Sequence, residues 1–222
     1  ALPDPVAHLS SGSAAYGALT RLADLRPGDT VLVTGAAGAV GTLAGPLARL
    51  LGATKVIGTT RSPDKAERLT AELGYDTVIV TGSRLIDEEL AKAAPDGIDV
   101  LLDTVGGQQL AAAVRAARQG ARFALIGALS GQLSPHRDGG SSPADIDSFR
   151  LINKGVSLLG YSGPDHPDVP KEWNAHFGHW LRSGKITFPH VRIPGMDHAP
   201  RALQELFQGR HFGTVVVELP PT

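Results

Sequence analysis

The chain contains no cysteine among its 222 residues, and this absence excludes several classes of protein. A disulfide framework, a thiolate nucleophile and a zinc site built on cysteine sulfur all need the missing residue type. A chain without cysteine is compatible with a reducing compartment. We therefore expect a cytoplasmic location.

Aromatic residues are also scarce, and neither sign of charge is in excess. Phe, Trp and Tyr make up 5% of the chain, and 21 Lys and Arg residues stand against 22 Asp and Glu residues. Nucleic-acid binding favours a basic surface, and a membrane helix needs an apolar run of about 20 residues. The sequence has neither feature, so we expect no nucleic acid and no membrane among its partners.

What the sequence does contain is a regular alternation of apolar runs with helical patterns. The pattern predicts strands at residues 30–34, 55–60, 77–80, 99–103 and 122–126, and helices at residues 40–51, 63–73, 85–94 and 108–117. Such alternation with short loops is typical of parallel strands joined by helical crossovers. Continuous apolar runs such as VLVT and VLLD indicate strands covered on both faces. The predicted fold class is α/β, a doubly wound parallel sheet of the Rossmann type, with a ligand site at the carboxyl ends of its strands.

The pattern changes after residue 126. A Gly-, Ser- and Pro-rich stretch occupies residues 127–147, and we expect residues 131–143 to form a lid or a floor over the site. A strand at GVSLLGY follows, then helices at residues 171–182 and 199–208, and a last strand at TVVVEL. We divide the chain into a lead-in segment (1–27), a dinucleotide-binding domain (28–164) and a C-terminal part of helices and a strand (165–222).

The stretch VLVTGAAGAVG joins the first strand to the first helix through Gly35, Gly38 and Gly41. A helix N-terminus offers N–H groups and a positive dipole end to a pyrophosphate, and glycine lets the backbone approach it closely. The spacing Gly-x-x-Gly-x-x-Gly differs from the commoner Gly-x-Gly-x-x-Gly, and any tight turn can use glycine. The flanking strand and helix nevertheless favour a dinucleotide. We expect Pro46, past the first helical turn, to bend or locally break this helix.

The end of the second strand indicates which dinucleotide is bound. A NAD site places an acidic residue there, against the ribose 2′-hydroxyl. The segment VIGTTRSPDK instead offers Arg61, Ser62 and, one turn into the helix, Lys65. Solvated cations at a helix start are the plain alternative, but cations and hydroxyls suit a 2′-phosphate. We predict NADP(H) as the cofactor.

The sequence gives weaker support to two other assignments, a short-chain reductase motif and a metal site. The glycine motif of short-chain reductases would need glycine at Ala39, and it goes with a Tyr-x-x-x-Lys sequence that no tyrosine of this chain supplies. His176 and His179 lie three residues apart on a predicted helix, with three further histidines nearby. Because no acidic residue joins them at ligand spacing, we predict no metal site.

Taken in order, these features resemble the medium-chain dehydrogenase/reductase superfamily, in its zinc-independent branch of quinone oxidoreductases and prostaglandin reductase-like enzymes. The matching segments are SGSAAYGAL, LRPGDTVLVTGAAGAVG, SPDKAERL, LGYDTVI, GIDVLLDTVGG, GARFALIGALSG, LRSGKITF and ALQELFQGRHFGTVVVEL. Each segment is weak alone, but the ordered set is specific and covers nearly the whole chain. Family members carry an N-terminal GroES-like domain that this sequence lacks. We therefore expect a cofactor domain with the family's tail, either excised or naturally short.

The resemblance implies two groups of contacts at the phosphate end of the cofactor. The turn after the first strand would contact the pyrophosphate through Ala37, Gly38, Ala39 and Val40. The start of the second helix of the pattern would contact the 2′-phosphate through Arg61, Ser62 and Lys65. Thr81 stands beside them, where the family usually has a tyrosine that helps to hold the adenosine phosphate.

The resemblance also implies a nicotinamide end. The contacts after the fourth and fifth strands would line the ribose and the nicotinamide through Thr104, Gly127, Ala128, Leu129 and Ser130. The contacts from later in the chain would be Tyr161 and Ser162, which flank the nicotinamide, and His211, near its amide.

The activity implied by the resemblance is hydride transfer from NADPH to a small-molecule enone or unsaturated aldehyde, or to a quinone. The developing enolate needs a hydrogen-bond donor, and Tyr161 and the nicotinamide ribose hydroxyl are the candidates. The alternative is an NADPH-binding module without catalysis of its own, or the cofactor half of a larger reductase. The resemblance further suggests a homodimer through the strand at residues 156–161.

Overall fold

The computed structural model describes residues 2–82, 85–133 and 140–219. Within these residues, six strands form one parallel sheet and two more form a small parallel pair. The strands are β1 (Thr30–Val33), β2 (Lys55–Thr60), β3 (Thr77–Val80), β4 (Ile98–Asp103), β5 (Ala117–Leu125), β6 (Ser157–Gly160), β7 (His190–Pro194) and β8 (Thr214–Glu218).

Helices connect these strands in sequence order. The helices are α1 (Gly12–Gly17), α2 (Gly41–Leu50), α3 (Pro63–Leu73), α4 (Ile86–Ala93), α5 (Gly107–Arg115), α6 (Leu129–Gln132), α7 (Ser148–Lys154), α8 (Val169–Arg182) and α9 (Ala199–Phe207). A π-helical turn, Ala18–Leu22, continues α1, and short 3-10 helices cover Pro5–Leu9, Gly163–Asp165 and Met196–His198. Of the helices in the described residues, none has the length and apolar character needed to cross a membrane.

The large sheet has the strand order β3-β2-β1-β4-β5-β6, and every neighbouring pair is parallel. Successive side chains of a strand point to opposite faces, and both faces here are buried. Val31 and Val33 pack with α2, α3 and α8 on one face, whereas Leu32 packs with α4 and α5 on the other. This arrangement confirms the predicted doubly wound α/β fold of the Rossmann type.

The strand order fixes where a ligand can bind. The chain winds outward from β1 through β2 and β3 in one direction, and through β4, β5 and β6 in the other. The helices that follow β1 and β4 therefore leave on opposite faces and open a crevice at the carboxyl ends of these strands. The glycine turn, residues 34–41, lies at this crevice.

The C-terminal part of the chain returns to the sheet at two places. Trp173 of α8 packs where Gly12 of α1 has no side chain, because a Cβ on Gly12 would lie 2.0 Å from the indole. Strand β8 begins beside the glycine turn, where the Gly213 N–H donates to the Ala37 carbonyl at 3.0 Å. The turn is thus tied to a segment that is remote in the sequence.

Five sequence predictions need correction. Strand β5 begins at Ala117 instead of residue 122, and α5 ends at Arg115 instead of residue 117. Strand β7 was not predicted, because the segment HVRIP is short and mixed in polarity. The stretch after residue 126 contains the short helix α6, and helix α2 runs through Pro46 without the expected break. Residues 134–139 of the expected lid lie outside the described residues.

Candidate functional site

The glycine turn is shaped by close backbone contacts. Gly35 has φ +63°, a conformation that favours glycine, and a Cβ there would lie 2.6 Å from Thr104 Oγ1. A Cβ on Gly41 would lie 2.5 Å from the Ala36 Cα, so that only glycine lets α2 start this close to the turn. Gly38 is exposed, and a Cβ there would meet the Gly35 carbonyl at 3.3 Å. The turn therefore presents backbone and the N-terminus of α2 to solvent at the crevice.

The residues of the turn differ in exposure. Ala37 is buried and its carbonyl is occupied by Gly213, whereas Ala39 and Val40 are half-buried beside the exposed Gly38. The N–H groups of the first turn of a helix have no partner within the helix. Here the Thr42 and Leu43 N–H groups donate to the Gly38 and Val40 carbonyls, so the N–H groups of residues 39–41 and the dipole of α2 are the features that can bind an anion.

A cluster of positive charge lies at the carboxyl end of β2. Ser62 caps α3 by accepting a hydrogen bond from the Lys65 N–H at 3.4 Å, and the Lys65 ammonium donates to the carbonyls of Gly209 and His211. The Arg61 guanidinium reaches the Phe207 carbonyl at 3.5 Å. The structure thus brings Arg61, Ser62 and Lys65 together and places the C-terminal turn against them.

The electrostatics of this cluster favour an anion. Burial lowers the pKa of Lys65, and the neighbouring charges of Arg61 and Arg68 lower it further. Arg68 also stands over the ring of Phe212, 4.0 Å from its centroid, and so ties α3 to the segment before β8. Like charges held this close gain free energy when an anion is added.

His211 and Thr81 border the same region. His211 Nε2 lies 3.1 Å from Glu205 Oε2, so its ring faces α9, and the His211 carbonyl faces Lys65. The Thr81 N–H donates to the Thr60 carbonyl at 2.8 Å, and its hydroxyl lies 3.3 Å from the same atom. Thr81 is therefore at the carboxyl end of β3, next to the end of β2.

The ends of β1, β4 and β5 converge on Thr104. Its N–H donates to Thr34 Oγ1 at 2.9 Å and its hydroxyl donates to the Thr34 carbonyl at 2.8 Å. The Leu129 N–H donates to the Thr104 carbonyl at 3.2 Å, and a Cβ on Gly127 would meet that carbonyl at 2.8 Å. Gly127, Ala128, Leu129 and Ser130 are all exposed. This group of residues forms one wall of the crevice.

Tyr161 and Ser162 follow β6 at the edge of this wall. The Tyr161 N–H donates to the Leu125 carbonyl at 2.9 Å, and its ring is stacked on His166 with centroids 5.2 Å apart. Its hydroxyl packs against Gly17, since a Cβ there would lie 2.2 Å from that oxygen. Burial raises the pKa of Tyr161, and Asp168 adds to this effect. The backbone thus lies near the crevice, whereas the hydroxyl faces α1; Ser162 is exposed.

A cleft of about 1250 Å³ lies at the carboxyl ends of β3 and β4. Thr81, Val105, Gln109 and Ser130 are among the residues that line it. Its lining does not include the glycine turn, Arg61 or Lys65; it reaches the end of β2 through Thr81 and Gln109, which contact Thr60 and Thr59. A cavity of this volume can hold one end of a dinucleotide.

Sequence reasoning missed two side chains that hold this site in place. Asp103 is buried and accepts hydrogen bonds from Thr34 Oγ1, the Val105 N–H at 3.1 Å and the Gly106 N–H. Gln109 accepts from the Thr59 hydroxyl at 2.7 Å. Asp103 ends the strand VLLD and could have been found from that position, whereas nothing local marks Gln109.

Comparison with known proteins identifies the family. The family model described as "Zinc-binding dehydrogenase" matches residues 39–177. The chain belongs to this family. The match agrees with the predicted resemblance to the medium-chain dehydrogenase/reductase superfamily.

Two relatives and one solved structure illustrate the relationship. NADP-dependent oxidoreductase RED1 of Cochliobolus heterostrophus is 31% identical over 213 residues, which are 94% of this chain and 59% of that protein. Prostaglandin reductase 1 of Oryctolagus cuniculus is 32% identical over 208 residues, 91% of this chain and 57% of that protein. The crystal structure of CurA from Vibrio vulnificus in complex with NADPH superimposes with a TM-score of 0.87 at 29% identity, over 98% of this chain and 66% of CurA. The chain thus spans less than two thirds of the length of these relatives.

The family's description names zinc, and the residues of this chain do not fit a zinc ion. Zinc sites of dehydrogenases commonly use cysteine, which this sequence lacks. In residues 2–82, 85–133 and 140–219, no group of three or more His, Asp or Glu side chains converges as metal ligands would.

Proposed function

We propose that this chain is the cofactor-binding part of an NADPH-dependent oxidoreductase. The observation that carries the proposal is the cluster of Arg61, Ser62 and Lys65 at the carboxyl end of β2, where a NAD site would have a carboxylate. An exposed guanidinium and a partly buried ammonium complement a 2′-phosphate. A relative named as NADP-dependent and a structural neighbour in complex with NADPH support this choice.

The proposed cofactor runs along the crevice. The pyrophosphate would lie over residues 37–40, where Gly38 keeps the N-terminus of α2 open. The 2′-phosphate would meet Arg61, Ser62 and Lys65, with Thr81 at the border. The resemblance implied a place for His211 near the nicotinamide amide, but its carbonyl accepts from Lys65, so in this proposal His211 lies at the 2′-phosphate end. The nicotinamide end would lie along Thr104 and residues 127–130, with Ser162 at its far side. In this proposal the dinucleotide-binding unit comprises residues 28–164.

Bound NADPH would supply a hydride, and the chain's residues would orient and protect the reacting atoms. We propose an α,β-unsaturated ketone or aldehyde, or a quinone, as the acceptor; the name of one relative, prostaglandin reductase 1, indicates a small-molecule substrate for that protein. Tyr161 is the proposed donor to the developing enolate oxygen. Its raised pKa keeps the hydroxyl protonated at neutral pH, and its side chain must turn from Gly17 toward the crevice to donate.

One observation favours a second candidate, a module that binds NADPH without catalysis or serves as half of a larger reductase. Residues 127–130 are all exposed, so the proposed nicotinamide wall is open to solvent. Hydride transfer requires a site from which water is excluded. A further protein surface over this wall would complete the enzyme.

We also propose a homodimer through β6. Within the described residues, β6 pairs with β5 on one side and forms the edge of the sheet on the other. Leu159 on this strand is 42% exposed, and Phe149 and Ile152 on the adjacent α7 are more exposed still. An apolar edge strand of this kind pairs readily with a second copy.

Titration of the purified chain with NADPH and with NADH tests the cofactor assignment. We expect NADPH to bind at least about tenfold more tightly, a difference of about 1.4 kcal/mol. Equal binding of the two cofactors would overturn the 2′-phosphate assignment. NADPH oxidation in the presence of an enone or a quinone then separates the enzyme from the binding module.

A further inference from the structure

Tyr75 lies in the loop between α3 and β3, and its side chain reaches the glycine turn from inside the protein. The residue is 3% exposed. Its hydroxyl donates a hydrogen bond of 2.6 Å to the carbonyl of Gly41, the third glycine of the turn and the first residue of α2. A buried hydroxyl thus contacts the backbone on which the proposed pyrophosphate site depends.

The ring of Tyr75 occupies a slot that two further glycines leave open. A Cβ on Gly45 of α2 would lie 2.3 Å from Tyr75 Cε2, and a Cβ on Gly58 of β2 would lie 2.9 Å from its Cδ1. The ring is therefore held between the backbones of a helix and a strand. Because neither wall can move without disturbing the sheet or α2, the position of the hydroxyl is fixed.

The Tyr75 hydroxyl contacts α2 close to the place where this helix lacks a backbone hydrogen bond. The Tyr75 hydroxyl donates to the Gly41 carbonyl, which lies one helical turn before Gly45. The next residue is Pro46, which has no N–H to donate to the Thr42 carbonyl one turn earlier. Burial raises the pKa of Tyr75 far above its usual range, so the hydroxyl keeps its proton and remains a donor.

We infer that Tyr75 is a positioning residue for the cofactor site. Its hydroxyl donates to the Gly41 carbonyl and so fixes the direction of the first turn of α2. The backbone of residues 39–41, at the start of α2, is thereby held in place at the crevice. The inference rests on the proposed function, since it takes the glycine turn to be the pyrophosphate site.

Amide hydrogen exchange tests the positioning without any cofactor. Tyr75→Phe removes the hydroxyl and keeps the ring, so the slot stays filled. Tyr16→Phe is the matched control, because Tyr16 is also buried and its hydroxyl contacts Glu172 at 3.3 Å, away from the turn. We expect faster exchange across residues 38–45 in Tyr75→Phe and not in Tyr16→Phe. Unchanged exchange in Tyr75→Phe would overturn the inference, whether or not the chain binds NADPH.

Cofactor binding tests the consequence. A hydrogen bond of this kind typically accounts for about a fivefold change in an equilibrium constant, so Tyr75→Phe is expected to raise the Kd of NADPH and of NADH by about fivefold each. The loss is shared because both cofactors carry the pyrophosphate. A loss confined to NADPH, or a loss equal to that of Tyr16→Phe, would contradict the role in the glycine turn. Failure of the unaltered chain to bind either cofactor would instead contradict the proposed function.

Discussion

The ammonium of Lys65 on α3 donates a hydrogen bond to the carbonyl of Gly209 after α9, although 144 residues separate them. A second hydrogen bond runs from the same ammonium to the His211 carbonyl. An ammonium has three N–H donors, so one remains for an anion. The C-terminal turn thus orients Lys65 within the proposed 2′-phosphate site.

The first prediction concerns this lysine. Lys65→Met is expected to raise the Kd of NADPH by about tenfold or more and to change that of NADH by less than about twofold, since only NADPH carries the 2′-phosphate. Calorimetric titration with each cofactor measures both values. Lys55→Met, at the other end of β2, is the control and should leave both unchanged. An equal loss for the two cofactors would show that Lys65 acts through the fold.

The second prediction concerns pH. Burial and the charges of Arg61 and Arg68 lower the pKa of Lys65, so its charge is lost at a lower pH than that of an exposed lysine. The 2′-phosphate stays doubly charged in this range, and the preference for NADPH over NADH should therefore fall as pH rises from neutral through the pKa of Lys65. The Lys65→Met chain should show no such fall. A preference that persists in alkaline solution up to the usual lysine pKa would contradict the assignment.

Lys65 has the opposite effect on folding stability: as pH rises, the preference for NADPH falls, whereas the free energy of unfolding rises. Because the pKa of Lys65 is lower in the folded chain, the unfolded chain binds the proton more tightly between the two pKa values. The buried ammonium therefore costs stability at neutral pH, and this cost falls as pH rises from the folded pKa to the unfolded pKa. Without cofactor, the chain with Lys65 should gain stability relative to Lys65→Met as pH rises through this window, as urea unfolding would measure.

Much of the fold and part of the site could be predicted from the sequence. Strands covered on both faces are continuous apolar runs, so β1 and β4 were predictable, and the glycine spacing marked the turn between β1 and α2. The first half of β5 was not predictable, because its residues ARQG are mostly polar and its pairing with β4 shifts register after Ile98. Contacts between remote segments, such as Lys65 with Gly209, leave no local pattern. The direction of the Tyr161 hydroxyl was missed for the same reason.

The third prediction is that two glycines of the turn have different roles, Gly41 in stability and Gly38 in cofactor binding. Gly41→Ala places a Cβ 2.5 Å from the Ala36 backbone, which cannot move away, and should lower the free energy of unfolding by about 2–4 kcal/mol. Gly38→Ala meets the Gly35 carbonyl at 3.3 Å on an exposed surface and should cost less than about 1 kcal/mol. Its methyl group would instead stand where the pyrophosphate is proposed to bind. Urea unfolding and NADPH titration of both variants measure the two effects.

Two outcomes would contradict the proposed geometry of the glycine turn. If Gly38→Ala binds NADPH as tightly as the unaltered chain, the pyrophosphate does not lie over this residue. If Gly41→Ala is as stable as the unaltered chain, the close start of α2 is not required for folding.

The fourth prediction concerns the edge strand β6. Leu159→Lys places a charge on the exposed apolar edge, where a second copy of β6 is proposed to pair, and burial of that charge without a partner would disfavour the dimer. Leu203→Lys is the matched control, because Leu203 is 52% exposed on α9, which packs with β8. Sedimentation equilibrium should show a dimer for the unaltered chain and for Leu203→Lys, and a monomer for Leu159→Lys. A monomeric unaltered chain at high concentration would refute the dimer, and dissociation by Leu203→Lys alone would move the interface to α9.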